Sequence, residues 1–396
     1  MPRICLSGSN VRSTEILYEP QGRHDGHTAS AHIVQYYKNR FKIKLFSPIF
    51  ASVIIVSNSS DMKFFNMFNG NRAPFNVGLS PVILLIALLL AAGCRERVNS
   101  RNQDVEATPQ RGVYFWKSVF LLNDSETAFL QDHNVKRLYL KMFDVAPDRD
   151  WDSGEIGVFP IATTKFVSPV PEGISVVPAV YITLEALRHS IGNEEKLAHQ
   201  IVERVLAMVS FHKLGPVGMV QFDCDWTSST RSSYFLLCET AREMLKEKGI
   251  ALSGTVRFHQ ISEEYYPFDH SVLMLYNTGS VKNPDTRNSI IDYEDVRKYL
   301  KKGCTKHTFD LAYPTFAWTV FFRNGEFAGL GRDSRVDSLA AGETFRRETS
   351  PMEEILKVKD LAEKVLGASP HNNIIYHLDS DNLSKYTAYE IENIYK

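Results

Sequence analysis

Apolar runs of strand length alternate with helical patterns from residue 112 onward, and this alternation limits the possible folds more than any other feature of the chain. The eight runs are 113–120, 135–143, 176–183, 217–224, 251–258, 271–276, 307–313 and 373–378. Such alternation is typical of repeated βα units around a parallel sheet. Eight units in roughly 280 residues favour a closed (β/α)8 TIM-like barrel over 112–396. No glycine-rich turn follows the first run, which disfavours a dinucleotide-binding fold.

Two segments between the runs have the spacing of amphipathic helices. Residues 194–213 place Leu197 and Ile201 on one face, and residues 232–248 repeat this pattern. The second segment ends in a basic turn followed by Gly249, which can adopt a positive φ and so indicates a helix end.

The segment 316–331 interrupts the alternation after the seventh run. It places an Asn324–Gly325 dipeptide between apolar flanks. Both residue types tolerate the positive φ values of a tight two-residue turn. We therefore predict a β-hairpin inserted after strand seven of the barrel.

The composition excludes several classes of protein. With 44% hydrophobic residues the chain can build a large core, so it is not disordered as a whole. Lys and Arg total 45 against 46 Asp and Glu, so no basic surface is expected and nucleic acid is not a predicted partner. The five cysteines and 12 histidines lack the spacing of a metal site, so the sequence predicts no metal and no cofactor.

The segment 79–94 has the pattern of an export signal. An uncharged apolar core, too short for a membrane span, leads to small residues and Cys94. This ending resembles the bacterial lipobox, in which a peptidase cuts before a lipid-bearing cysteine. The polar run 94–111 has the composition of a tether. We predict a lipoprotein of the bacterial cell envelope, anchored to the inner or the outer membrane through Cys94. A buried core helix is the alternative.

A signal peptide is expected near an amino terminus, whereas this one begins late in the chain. Translation from Met62 or Met67 would supply such a terminus, with Lys63 and Arg72 as the positive charges of the signal peptide. The signal peptide would then be 62–93. We interpret 1–61 as an over-extended or disordered leader, with an extra membrane-interacting leader as the alternative.

Acidic side chains lie at the end of the fourth run. Gln221, Asp223 and Asp225 recur at period two, so they share one face, which is the lumen if the other face packs under helices. Functional side chains of a barrel lie at the carboxyl ends of its strands. Two close carboxylates cannot both ionise freely in a low-dielectric pocket, so one is expected to have the raised pKa that acid–base catalysis requires. A solvated strand end or a helix cap is the alternative.

Several strings resemble known families. Residues 222–227 resemble the fourth-strand motif of the family-18 chitinase-like glycoside hydrolases, in which alternating aspartates precede an aromatic residue and a catalytic glutamate. Residues 274–277 and 312–318 resemble that family's sixth- and seventh-strand motifs. More closely, 112–116 and 231–237, with the fourth-strand string, resemble a bacterial TIM-barrel family called domain of unknown function 3142. The resemblance covers the chain from residue 112 and implies a glycan as the partner.

Two positions depart from the chitinase-like pattern. Thr227 stands where the catalytic glutamate is expected, and its hydroxyl group cannot protonate a glycosidic oxygen. Asn277 replaces the expected aspartate. Either the acid lies elsewhere, or the cleft binds glycans without cleaving them. The candidates for a relocated acid are Asp225, Glu185, Glu263 and Glu264.

The strand ends and the resemblance together predict a set of site residues. Asp223 and Asp225 are the predicted catalytic residues. The predicted substrate-binding residues are Gln221, Trp226, Tyr114, Trp116, Asp144, Arg257, Tyr276, Asn277, Tyr313 and Trp318. The aromatic side chains of Tyr114, Trp116, Tyr313 and Trp318 are expected to stack on sugar rings, with a core position as the alternative. Arg257 and His259 are expected to share a face and to pair with Asp223 or Asp225, with a purely structural ion pair as the alternative.

Three functions are compatible with these predictions. The first is a glycoside hydrolase in which Asp225 or Asp223 is the acid–base and the other its electrostatic partner, in a deep acidic cleft. The second is a non-catalytic glycan-binding or scaffolding lipoprotein, whose carboxylates are exposed or paired with Arg257. The third is a transport-system binding protein, which is disfavoured because one barrel lacks two hinged lobes.

Replacing Cys94 by serine tests the lipid anchor. Serine has no sulfur to carry the lipid, so we expect Cys94→Ser to lose incorporation of an alkyne-tagged fatty acid and to leave the membrane fraction. Cys304→Ser is the matched control and should keep both the label and the membrane fraction. Labelled Cys94→Ser protein would contradict the anchor.

Overall fold

The computed structural model describes the chain from residue 110 with short gaps. The described residues are 110–150, 154–333, 336, 339–367 and 371–396. The predicted leader, the signal peptide, Cys94 and the tether up to residue 109 lie outside this set and stay predictions. Among the described helices, none is both long enough and apolar enough to cross a bilayer.

The described residues form strands β1 to β14 and helices α1 to α8. The strands are β1 Gly112–Phe115, β2 Val119–Phe120, β3 Arg137–Arg149, β4 Ile156–Ile161, β5 Lys165–Phe166, β6 Ser175–Ile182, β7 Met219–Asp223, β8 Ala251–Val256, β9 His270–Met274, β10 Asp310–Pro314, β11 Trp318–Arg323, β12 Glu326–Arg332, β13 Glu343–Glu348 and β14 Asn373–Tyr376. The helices are α1 Asp124–Asp132, α2 Leu184–His189, α3 Glu194–Phe211, α4 Arg231–Lys246, α5 Tyr293–Tyr299, α6 Met352–Leu366, α7 Ser380–Leu383 and α8 Ala388–Tyr395.

Eight of these strands close into a parallel barrel. Around the ring their order is β1, β3, β6, β7, β8, β9, β10 and β14. The ring closes because β1 pairs on both sides, with Gly112 opposite Ile374 of β14 and opposite Arg137 of β3. The predicted (β/α)8 TIM-like barrel is confirmed.

The two predicted amphipathic helices are present as α3 and α4. Helix α3 buries Leu197 and Ile201, as the spacing indicated. It ends at Phe211, two residues before Lys213, whose φ of 53° is incompatible with a continuing helix. Gly249, after α4, has a φ of 70°, which confirms its predicted place at a helix end.

The connection after the second barrel strand differs from a simple βα unit. β3 continues to Arg149, beyond the run predicted to end at residue 143, because β4 pairs with it in antiparallel register. β5 then pairs in parallel with β2. The run predicted at 113–120 is therefore divided into β1 and β2. In the described part of this connection, strands replace the expected helix.

A three-stranded antiparallel sheet is inserted after β10. Its β11 and β12 form the predicted hairpin, and Asn324 and Gly325 have φ values of 52° and 81°. These values fit the two-residue turn with two positive φ angles, so the hairpin is confirmed. The third strand, Glu343–Glu348, pairs with β11 and was not predicted, because four of its six residues are charged.

Gly254 on β8 offers a test of how tightly the barrel packs. A Cβ added there would lie 2.6 Å from Cζ of the buried Phe268 ring. We expect Gly254→Ala to lower the free energy of unfolding by about 2 kcal/mol, measured by urea denaturation. In Gly218→Ala the added Cβ meets no atom within 4 Å, so this control should stay within about 0.5 kcal/mol of the wild type. Equal stability of the two variants would rule out this close packing.

Candidate functional site

Gln221 on β7 joins three barrel strands in the lumen. Its fully buried side chain accepts a hydrogen bond from the Tyr114 hydroxyl at 2.8 Å and donates one to Ser253 Oγ at 3.2 Å. These partners belong to β1 and β8. Gln221 and Tyr114, both predicted site residues, therefore tie the lumen together beneath the carboxylates.

Asp223 lies two residues further along β7 and is 5% exposed. Its Oδ1 accepts a hydrogen bond from Thr255 Oγ1 at 2.6 Å and lies 3.4 Å from Nη2 of Arg257. Burial raises the pKa of Asp223, and the positive charge of Arg257 opposes that rise. The Asp223 carboxyl group is therefore held inside the barrel by one neutral and one charged donor.

Arg257 lies between the two carboxylates. Its Nε donates to Oδ1 of Asp225, while its Nη2 approaches Asp223. Burial alone would lower the pKa of Arg257, but the adjacent charges of Asp225 and Asp223 hold it well above its usual value. The expected pairing with an aspartate is confirmed, and it involves both aspartates. The Asp225 side chain is 29% exposed, so the pair opens to solvent on its side.

His259 does not share this position. It lies in the short 3-10 turn Phe258–Gln260, and its Nε2 is 3.1 Å from the main-chain oxygen of Trp226. The expectation that His259 faces the aspartates beside Arg257 is wrong, because β8 ends at Val256 and its alternation does not continue.

Four aromatic residues, which we call the aromatic cluster, lie at the carboxyl ends of the strands: Trp116, Tyr276, Phe316 and Tyr376. The ring centroid of Tyr376 lies 5.9 Å from that of Trp116 and 5.1 Å from that of Tyr276. Trp116 and Tyr376 are partly exposed, whereas Tyr276 is buried, with the Arg257 guanidinium 5.9 Å from its ring centroid. The cluster therefore joins the ion pair to the open end of the barrel.

Two predicted aromatic residues lie on the helix side of the barrel wall. Trp226 is buried with its ring stacked 6.3 Å from that of Tyr234 on α4. Tyr313 is buried where charges on α6, first that of Glu363, raise its pKa in addition to the effect of burial. Tyr313 therefore packs in the core, which was the alternative to stacking on a sugar ring. Trp226 also packs in the core.

Trp318 belongs to the inserted sheet. Its Nε1 donates to Oε2 of the buried Glu348 at 2.6 Å, and the same carboxylate accepts from Ser289 Oγ and Arg346 Nε. Trp318 reaches the aromatic cluster through Phe316, whose ring centroid is 5.1 Å away. It therefore anchors the inserted sheet beside the cluster.

Asp144 lies on β3, and Asn277 follows β9. Asp144 pairs with Nζ of Lys141 at 2.9 Å and is close enough to raise the pKa of Asp223. Asn277 follows β9 with a φ of 56°, and its Oδ1 is a buried atom without a hydrogen-bond partner in the described residues. The Asp144 carboxyl group therefore lies near that of Asp223.

Acidic and basic side chains are nearly equal in number at the site. Asp144, Asp223 and Asp225 supply three carboxyl groups, and Lys141 and Arg257 supply two basic groups. Within the part of the chain that the structure describes, no group of three or more His, Cys, Asp or Glu side chains could hold a metal ion. The site therefore offers hydrogen bonds and aromatic surface with little net charge.

Four residues of the site were not singled out from the sequence: Lys141, Tyr181, Thr255 and Tyr376. Tyr181 is partly exposed, and the charges of Asp225 and Asp223 add to burial in raising its pKa. Tyr181 is the penultimate residue of β6 and Tyr376 is the last residue of β14, so counting every aromatic residue near a strand end would have found them. Thr255 could have been found two residues before Arg257, on the same strand face.

Solved structures with a similar fold include a spore cortex-lytic enzyme, SleL, of Bacillus cereus and two chitinases. SleL has 14% identity and a TM-score of 0.45, covering 72% of this chain and 74% of that chain. The Chromobacterium violaceum chitinase has 10% identity and a TM-score of 0.45, covering 72% and 98%. The Bacteroides thetaiotaomicron chitinase has 13% identity and a TM-score of 0.40, covering 68% and 89%. At these values the similarity supports no conclusion about function.

No protein-family model and no curated protein matches the chain. The resemblance to domain of unknown function 3142 therefore stays a prediction.

Replacing Arg257 by methionine tests the ion pair. The change leaves Asp223 buried without its cation, so we expect a loss of about 3 kcal/mol in the free energy of unfolding at pH 7. Without the cation the pKa of Asp223 rises further in the folded protein, while the unfolded value stays near ~3.9. The folded state then binds more protons above that value, so the variant should regain stability as pH falls from 7 towards 4.

Urea denaturation at several pH values measures this effect. Arg287→Met removes an arginine whose side chain is 70% exposed and paired with Asp292, so this control should change stability little. The double variant Arg257→Met/Asp223→Asn should recover part of the loss, because it removes the unpaired buried charge. A single Arg257→Met variant as stable as the wild type would show that the pair does not support the fold.

Proposed function

We propose that this protein binds a glycan at the carboxyl ends of the barrel strands, without cleaving it, as a lipid-anchored protein of the bacterial cell envelope. The observation that carries the proposal is the pairing of Arg257 with both Asp223 and Asp225. The positive charge of Arg257 favours the ionised form of Asp223 and so opposes the protonation that a catalytic acid needs.

Glycoside hydrolysis requires a proton donor beside the scissile bond and, in most families, a second carboxylate. Thr227 occupies the position of the acid in the chitinase-like pattern, and its Oγ1 lies 3.0 Å from Ser229 Oγ. Glu263, one candidate for a relocated acid, is bound by two nitrogens of Arg231 at 2.9 and 2.8 Å. The described site therefore favours binding over cleavage.

Two further candidates, Glu185 and Glu264, lie outside the barrel strands. Glu185 is paired with Arg188 at 3.3 Å on the first turn of α2. Glu264 is exposed.

Glycan binding is supported by the surface beside the ion pair. Ligand sites commonly combine aromatic walls with a few fixed polar groups. Trp116, Tyr181 and Tyr376 supply partly exposed rings, and Asp225 supplies a partly exposed carboxylate oriented by Arg257. Residues 222–227 and 274–277 resemble chitinase-like motifs, and this resemblance is the reason for proposing a sugar as the ligand.

The anchoring part of the proposal rests on the apolar segment that ends at Cys94. A lipid on that cysteine, followed by the tether 94–111, would hold the barrel at a membrane surface. The inner and outer membranes both remain compatible with the sequence.

Hydrolysis is the second candidate function, and one observation favours it. Burial raises the pKa of Asp223, and a raised pKa is a property of general acids. In that case Asp223 or Asp225 would be the acid–base, and replacement of either by asparagine would abolish turnover in a folded protein.

Purified protein is tested against chitin oligosaccharides, cell-wall glycan fragments and chromogenic glycosides, by calorimetry and by product analysis. We expect saturable binding of at least one glycan with no turnover, and Trp116→Ala should weaken that binding about tenfold, which corresponds to ~1.4 kcal/mol. Tyr389→Ala removes an aromatic residue that is 71% exposed on α8 and should bind as the wild type does.

The outcomes separate the two functions. Turnover that is lost in Asp223→Asn or Asp225→Asn protein, with folding intact, would replace the binding function by hydrolysis. Absence of both binding and turnover across the panel would refute a glycan as the ligand.

A further inference from the structure

Two loops adjoin the partly exposed rings of the aromatic cluster. The loop after β1 contains Trp116 and Lys117, and the loop after β14 follows Tyr376 and runs to Ser380, the first residue of α7. The second loop meets the end of β1, where Leu378 N–H donates to the main-chain oxygen of Tyr114 at 2.8 Å. The spacing of Trp116 and Tyr376 therefore depends on how these loops are held.

Glu126, in the first turn of α1, binds both loops with one carboxylate oxygen. Its Oε1 accepts from Lys117 Nζ at 2.5 Å and from Ser380 N–H at 3.3 Å, and the side chain is fully buried. Its other oxygen, Oε2, accepts from Asn123 N–H at 3.3 Å and completes the capping box of the helix.

The loops are also linked directly around this carboxylate. Lys117 Nζ lies 3.1 Å from Oδ2 of Asp379, so the ammonium group bridges the two loops. Asn123 Nδ2 donates to Ser380 Oγ at 3.0 Å. The contacts of Glu126 therefore lie at the centre of a network that spans both loops and the start of α1.

Capping alone does not require this arrangement. A capping glutamate needs only to reach back to the N-cap residue and can remain in solvent. Burying a carboxylate is costly unless it is paired and hydrogen-bonded, and here both the ammonium group and the second loop provide that compensation. The burial of Glu126 is therefore explained by the joining of the loops.

We propose that Glu126 is a positioning residue that fixes the spacing of Trp116 and Tyr376 for ligand binding. It acts through Lys117 and Ser380 and does not itself touch the ligand. This inference rests on the proposed glycan-binding function for its purpose, whereas the positioning itself can be measured without a ligand.

Glu126→Gln tests the inference because it keeps an oxygen for the cap and removes the charge that binds Lys117. Acrylamide quenching of Trp116 fluorescence, obtained by difference from the matching Trp116→Phe proteins, reports the exposure of that ring. We expect quenching to increase in Glu126→Gln and in Lys117→Met. We also expect both variants to bind the glycan about tenfold more weakly, the loss typical of one charge-assisted hydrogen bond.

Glu194→Gln is the matched control. Glu194 is a buried glutamate in the first turn of α3, where it accepts from Ser233 Oγ at 2.7 Å, away from the two loops. The Glu194→Gln variant should lose about as much stability in urea as Glu126→Gln does. It should nevertheless keep wild-type Trp116 quenching and wild-type glycan affinity. A role of Glu126 in stability alone would make the two variants behave alike in every measurement.

The failures of the two proposals are distinguishable. Unchanged Trp116 quenching in Glu126→Gln would overturn the positioning role, whether or not a glycan binds. Increased quenching with unchanged affinity would overturn its importance for binding. Increased quenching in a protein that binds no glycan would support the positioning and refute the proposed function.

Discussion

The centre of the barrel depends on one interaction, the pairing of the Arg257 guanidinium with the carboxyl groups of Asp223 and Asp225. Asp223 is 5% exposed, and a carboxylate is costly to bury without a cation and hydrogen bonds. Thr255, on the adjacent strand β8, and Arg257, directly after that strand, provide these groups. The polar lumen is thus compatible with a stable fold because neighbouring strands present complementary groups.

The same pairing limits the chemistry of the site. A catalytic acid must carry a proton before it can donate it. The positive charge of Arg257 opposes protonation of Asp223, against the burial that raises the pKa of this residue. Thr227, at the place of the acid in the chitinase-like pattern, provides no substitute. The barrel therefore presents fixed polar groups beside aromatic rings, and on this arrangement we base the proposed glycan recognition.

Buried polar side chains perform a similar task at several points around the open end. Gln221 joins β1 to β8 through two hydrogen bonds. Glu126 joins the loops after β1 and β14, and Glu348 joins the inserted sheet to Ser289 in the loop after β9. Each compensates its own burial by connecting segments that are distant in sequence. Together these residues fix the positions of the partly exposed rings.

Local sequence patterns determined the alternation of strands and helices and the barrel class. They also determined the Asn324–Gly325 hairpin and the shared face of Asp223 and Asp225. Periodicity and turn chemistry act over a few residues, so the sequence alone contains them. They could not orient Tyr313, since both faces of a parallel strand are buried and alternation gives no sign of which is the lumen. The charged strand β13 and the contact of Glu126 with Ser380, 254 residues away, were decided by tertiary structure alone. Such pairings depend on spatial proximity, which the closure of the barrel creates.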